Sequence, residues 1–153
     1  MLDRTMNKTE VEKALNGKGD FVKIDHLTRF LKQDLPIDMK KYIYNKLIEI
    51  YDSKSMFSDS AKAYNNLAVI SVTYVDQIKY HIKEAESYIK AGFFDKVYEA
   101  TKKAMSEANS SQKHEINLAV KTAYLRQAEI YEQELKRSNA MRVYEKLLEI
   151  NLS

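Results

Sequence analysis

Cysteine and tryptophan are missing from this chain of 153 residues, and three glycines and one proline are all that interrupt a regular backbone. Without cysteine there are no disulfides, no thiolate zinc sites and no cysteine nucleophiles. So few breakers leave little on which strands could turn, and a chain that is 44% hydrophobic and 31% charged is expected to be all-α. No apolar run approaches the ~18 residues of a membrane span, and Met1-Leu2-Asp3-Arg4 leads into further charges, unlike a secretory leader. A single soluble, cytoplasmic domain with no membrane segment is the expectation. Neither sign of charge dominates: 25 Lys and Arg face 22 Asp and Glu, a net charge of +3 that does not imply wholesale coating of nucleic acid.

What the sequence does have is a recurring pattern. Leu15, Tyr51, Tyr88 and Tyr131 each close an apolar helical stretch just before another begins, at separations of 36, 37 and 43 residues. Repetition on this scale marks stacked helical hairpins, because a unit of two helices cannot bury its own apolar face and must stack on its neighbours. Local signals place the helix ends. Asn7-Lys8-Thr9-Glu10 has the form of a capping box, and Gly17 and Gly19 end the helix it opens. Asp20 is expected to cap the second helix, Pro36 to stand in the first turn of the third, and Ser58 to cap the fourth. The branched run Val69 to Val75 could be a strand, but a lone strand has no partner in a helical chain, and Thr73 with Asp76 offers a helix cap instead. Gly92 stops the fifth helix and Asp95 starts the sixth. Asn109-Ser110-Ser111 reads as a loop before a long helix from about Gln112, and Ser138-Asn139 as the opening of a last helix ending near Ile150. Eight helices in four units are predicted, over approximately 7–35, 36–72, 73–110 and 111–153.

Laid over one another, these units resemble tetratricopeptide repeats, whose first helix carries an aromatic, a Leu, a small residue and a Tyr in order. The fourth unit supplies Tyr124, Ala128 and Tyr131, then Ala140, Tyr144 and Leu147, with Gln127 in place of Leu. The third has Ala85 and Tyr88 before Gly92-Phe93-Phe94-Asp95, which is similar to the family's Gly-Asp-Tyr turn, and then Val97, Thr101 and Ala104; His81 and Glu84 depart from the pattern. The second has Tyr44, Leu47, Tyr51, Phe57, Tyr64 and Leu67, but Ile48 stands where a small residue lets the helices approach, so this pair is expected to splay. In the first, Gly19-Asp20-Phe21 and Pro36 match the turn and terminal proline, while Lys8 and Glu12 replace the aromatic and small residues. The resemblance implies a right-handed α-α superhelix that holds a protein or peptide in the groove lined by first helices. It implies no catalysis and no cofactor.

Members of this family that grip peptide carboxylates hold cations one turn apart on a central first helix. Lys79 and Lys83 match those places, and Lys13, Lys46 and Arg126 fall on comparable slots of other units, so the resemblance implies a basic track for an acidic partner. The asparagines that complete the family's clamp are missing; Lys46 and Glu49 stand near their places. The same lysines also suit solvated helix faces. At the C-terminal end, no helix with a polar outer face follows the last apolar one, and Val143, Leu147 and Ile150 are expected to meet a second copy or another subunit. RNA binding is the alternative function, since Lys40-Lys41-Tyr42 and Lys79-Tyr80 set cations beside rings that stack on bases. His26, His81 and His114 lie far apart, Leu118 stands where a zincin's second histidine is needed, and Gly17-Lys18-Gly19 has Val22 in place of a third glycine. Enzymatic and nucleotide-loop signatures are therefore poor.

Overall fold

The structure, a computed structural model, describes the backbone of residues 1–152 and the side chains of residues 1–150. Among the described residues eight α-helices follow one another: α1 (Lys8–Leu15), α2 (Asp20–Phe30), α3 (Ile37–Ser53), α4 (Phe57–Ile70), α5 (Tyr74–Ala91), α6 (Phe94–Met105), α7 (Ser110–Gln133) and α8 (Arg137–Leu152). No strand occurs among the described residues. Each substantial helix contact joins consecutive helices, with the addition of α5 on α7. That is the layering of a helical array, in which each unit is shielded by the next.

The turns carry the repeat more sharply than the side chains do. In the last three units the backbone N–H five residues on donates to the carbonyl of the marker tyrosine: Met56 to Tyr51 at 2.8 Å, Phe93 to Tyr88 at 3.0 Å, and Lys136 to Tyr131 at 2.7 Å. The residue just before each donor is left-handed, namely Ser55 (φ 57°), Gly92 (φ 80°) and Leu135 (φ 59°). This six-residue closure satisfies a carbonyl that the helix end leaves open. It also reverses the chain so quickly that the next helix restarts at once, which explains three departures from the expected ends. α4 begins at Phe57 with Met56 as its N-cap, so Ser58 lies inside the first turn. α6 begins at Phe94 rather than Asp95. α8 begins at Arg137, so Ser138 and Asn139 are helical. The first unit turns differently: Gly17 (φ 78°) stands two residues past Leu15, whose carbonyl receives the N–H of Lys18 at 3.1 Å.

Other ends follow their side chains. Asn7 and Glu10 form the expected capping box, and the Thr73 hydroxyl accepts from the Asp76 N–H at 3.2 Å, so Val69 and Ile70 finish a helix and no strand forms. Asn109 and Gln112 make a second capping box, which brings the start of α7 forward to Ser110 and shortens the expected loop. Asp20 is the first residue of α2 rather than its cap, Gly19 being the N-cap, and Pro36 is the N-cap of α3.

Three apolar clusters hold the layers. Val11, Leu15, Leu27, Phe30, Ile43 and Leu47 belong to an N-terminal core shared by α1, α2 and α3. A larger C-terminal core draws on α4 to α8, with Ala85, Ala100 and Ala128 fully buried where helices approach and Tyr124 set 5.8 Å from the Phe94 ring. Between them, Ile48 of α3 packs against Ala63 and Leu67 of α4, with Tyr44, Tyr64 and Tyr80 around them. The bulk of Ile48 is thus met by a small residue on the facing helix.

Candidate functional site

α5 and α7 are the first helices of the third and fourth units, and they lie side by side. Residues on their facing edges line two adjoining depressions. One, of about 260 Å3, is bordered by Val75, Ile78, Lys79, Ile82 and Lys83 of α5 and by Gln112, Glu115 and Ile116 of α7. The other, of about 350 Å3, is bordered by Glu86 of α5 and by Glu115, Leu118, Ala119, Thr122, Ala123 and Arg126 of α7. Glu115 belongs to both, so the two form one groove along the seam.

Three of the five expected cations meet there. Lys79 and Lys83 are exposed, stand one turn apart on α5, and share the groove with Arg126. Their surroundings are not uniformly basic. Lys83 pairs with Glu86 at 3.8 Å, and Glu115 stands between the lysines and Arg126. Helical periodicity could have shown part of this, because Lys83 and Glu86 are three residues apart on α5; the place of Glu115 follows from the packing of α7 on α5. Apolar groups add to the groove: Val75 and Leu118 both leave much of their side chains open to solvent.

The other two expected cations lie elsewhere. Lys46 pairs with Glu12 across α3 and α1 and lies 5.8 Å from the Tyr42 ring centre. Tyr42 donates its hydroxyl to the same carboxylate, and Lys8 covers the ring at 5.7 Å. The hydrogen bonds from Lys46 and Tyr42 hold the Glu12 carboxyl below its usual range, while burial and then Glu12 itself push the Tyr42 hydroxyl well up. Lys46 and Tyr42 are therefore committed to joining α1 to α3. Lys13 is exposed and borders neither depression. The expected track is accordingly a local groove of mixed charge.

The expected outer interface needs a larger correction. Val143 is fully buried and Leu147 is 7% exposed, both within the C-terminal core, and Ile150 packs against the same core. Val143 and Leu147 offer no face to a second copy, because they are buried in the core that the 24-residue α7 shares with α8, and Ile150 is partly buried beside them. Met141 and Leu148 are the residues that α8 turns outward.

Sequence reasoning missed a polar cluster at the junction of α4, α5 and α6. Glu84 is 3% exposed, yet its carboxylate lies 2.9 Å from His81 Nδ1 and accepts from Lys103 Nζ at 2.9 Å. Lys103 also donates to Asn65 Oδ1 at 2.8 Å. Among the described residues no buried side-chain polar atom lacks a partner, so this cluster is satisfied. The two departures from the repeat pattern, His81 and Glu84, are therefore one feature. The signal was present: Glu84 adjoins Ala85 and lies one turn before Tyr88, on the side that faces the core.

No set of three or more His, Asp or Glu side chains among the described residues is placed to hold a metal ion, and no helix there is long and apolar enough to cross a membrane. Compared with protein-family models, with curated proteins and with solved structures, the chain matches none.

Proposed function

We propose that this chain is a cytoplasmic, non-enzymatic scaffold of tetratricopeptide-like units that recruits a protein or peptide segment through the groove between α5 and α7. One observation carries the reading. Exposed Lys79 and Lys83, and farther along Arg126, border the seam between successive first helices beside exposed Val75 and Leu118. Cations with apolar neighbours suit a segment that brings carboxylates together with aliphatic side chains, the cations setting the register and the apolar groups supplying area. Glu86 and Glu115 narrow the choice, since a uniformly acidic segment would meet repulsion there.

The groove favours this over the RNA reading. Of the rings expected to receive bases, Tyr42 lies between Lys8 and Lys46 with its hydroxyl donated to Glu12, and Tyr80 packs against the cluster of Ile48, Ala63 and Leu67. The test is retention on the immobilised chain, analysed for both protein and RNA. A protein retained by the wild type and lost on Lys79→Glu with Lys83→Glu supports the groove. Retained RNA that is released steeply by salt would replace this reading with the alternative.

A further inference from the structure

A second concentration of cations lies away from the groove, where the start of α4, the α5–α6 turn and one face of α8 border an open cavity of about 650 Å3. Lys62, Lys96, Arg142 and Lys146 line it against one carboxylate, Asp95. Four cations against one carboxylate give the lining a charge of +3. We infer that it is a binding site for a diphosphate-bearing ligand.

Three independent features point to an anion of that kind. Among the described residues Lys62 and Arg142 have no ion-pair partner, and Arg142 lies 5.2 Å over the Phe94 ring, which favours its guanidinium at the cavity wall. Among the described residues Lys96 and Lys146 pair along their own helices, with Glu99 at 3.6 Å and Glu149 at 3.3 Å, contacts open enough to solvent to yield to a better partner. Finally, two helices begin beside the cavity with no side chain capping them: α4 after Met56, with Ser58 of its first turn on the lining, and α6 after Phe93. Ser58 of the first turn of α4 and Phe94, Asp95 and Lys96 of the first turn of α6 line the cavity, at the helix ends where the dipoles are positive.

Size and charge select the ligand. The lining draws its cations from α4, α6 and α8, and two linked phosphates, which carry about three negative charges near neutral pH, match its +3 better than a single phosphate does. The volume lies within the ~300–1,000 Å3 usual for small-molecule sites. Phe93, 50% exposed on the rim, offers a flat surface for a ring attached to the diphosphate. No glycine-rich loop is involved, because side chains from three helices supply the contacts, which is why no phosphate-loop motif marks the site.

Calorimetric titration of the full chain with inorganic pyrophosphate and with ADP, at low salt and without divalent metal, tests this. Saturable binding is expected, weakening as ionic strength rises. Lys62→Ala with Arg142→Ala should lower affinity about tenfold, while Lys13→Ala, at a remote exposed cation, leaves it unchanged. Far-ultraviolet circular dichroism should show each variant as helical as the wild type. ADP binding more tightly than pyrophosphate, with the advantage lost in Phe93→Ala, assigns a nucleotide; equal affinities assign a free diphosphate. No saturable binding of either ligand, or an equal loss in Lys13→Ala, overturns the inference.

Discussion

Lys103 Nζ donates to Glu84 Oε2 at 2.9 Å, tying α6 to a carboxylate that α5 holds almost wholly inside the protein. Removing one partner of a buried carboxylate leaves it short of the contacts that offset its burial. Lys103 itself is 43% exposed, so the solvent meets part of the loss when it is removed. Lys103→Met is expected to cost about 1–3 kcal/mol, and adding Glu84→Gln should restore much of that. Urea unfolding of the two single variants and the double variant checks this. Additive losses would mean that the two side chains do not act as a pair.

The left-handed turn residues make a second prediction. Leu135 at φ 59° carries the strain of a side chain in a region that suits glycine, and its side chain is largely in solvent. Leu135→Gly should therefore stabilise by about 0.5–1 kcal/mol. Gly92→Ala should destabilise by about 1 kcal/mol through backbone conformation alone, because nothing lies within 4 Å of where the new Cβ would stand. Thermal melts with opposite shifts would confirm that these turns are equivalent; shifts of the same sign would not.

Burial in the C-terminal core sets the third. Leu147→Ala should cost about 2–4 kcal/mol, whereas Leu148→Ala, on the outward face, should stay within about 0.5 kcal/mol. Equal effects at the two positions in chemical denaturation would contradict the packing of α8 on α7.

The Glu12 cluster makes stability pH-dependent. Its carboxyl is held below the ordinary range by hydrogen bonds from Lys46 first and Tyr42 second. A lowered folded pKa means the folded state binds the proton less readily than the unfolded chain does. The contribution is thus fully present above the ordinary carboxylate pKa near 4.5 and is lost as pH falls below it. The group is exposed, so the effect is small, under about 1 kcal/mol. Glu12→Gln should lower stability at pH 7 and flatten its fall between neutral and acid pH. A parallel fall in variant and wild type would show that the cluster contributes nothing.

Much of the fold was legible because helix ends are local chemistry. Asn7 with Glu10, Thr73 with Asp76, and Gly92 could each be read from neighbouring residues. Ser55 and Leu135 could not, since neither residue type advertises a left-handed turn, and the true ends of α4 and α8 were missed with them. At the groove, spacing on one helix placed Lys79 beside Lys83, but the company of Glu115 depends on how α7 lies against α5. Lys46 was misassigned for the same reason, its partner Glu12 being on another helix. Lys62, Lys96 and Arg142 come from three helices and share no motif, so only the packed structure brings them to one cavity. Val143 and Leu147 were apolar as expected, and the packing of α7 on α8 buries them.

The most direct test of recruitment through the first helices is site-specific photo-crosslinking from Leu118, in the groove, with Tyr98, exposed on α6, as the control position. A photoreactive phenylalanine analogue at 118 should capture a discrete protein in the source cell's extract, and Lys79→Glu with Lys83→Glu in the same chain should abolish the adduct. Capture that is as strong from position 98, or that survives the two charge reversals, would contradict a partner seated between α5 and α7.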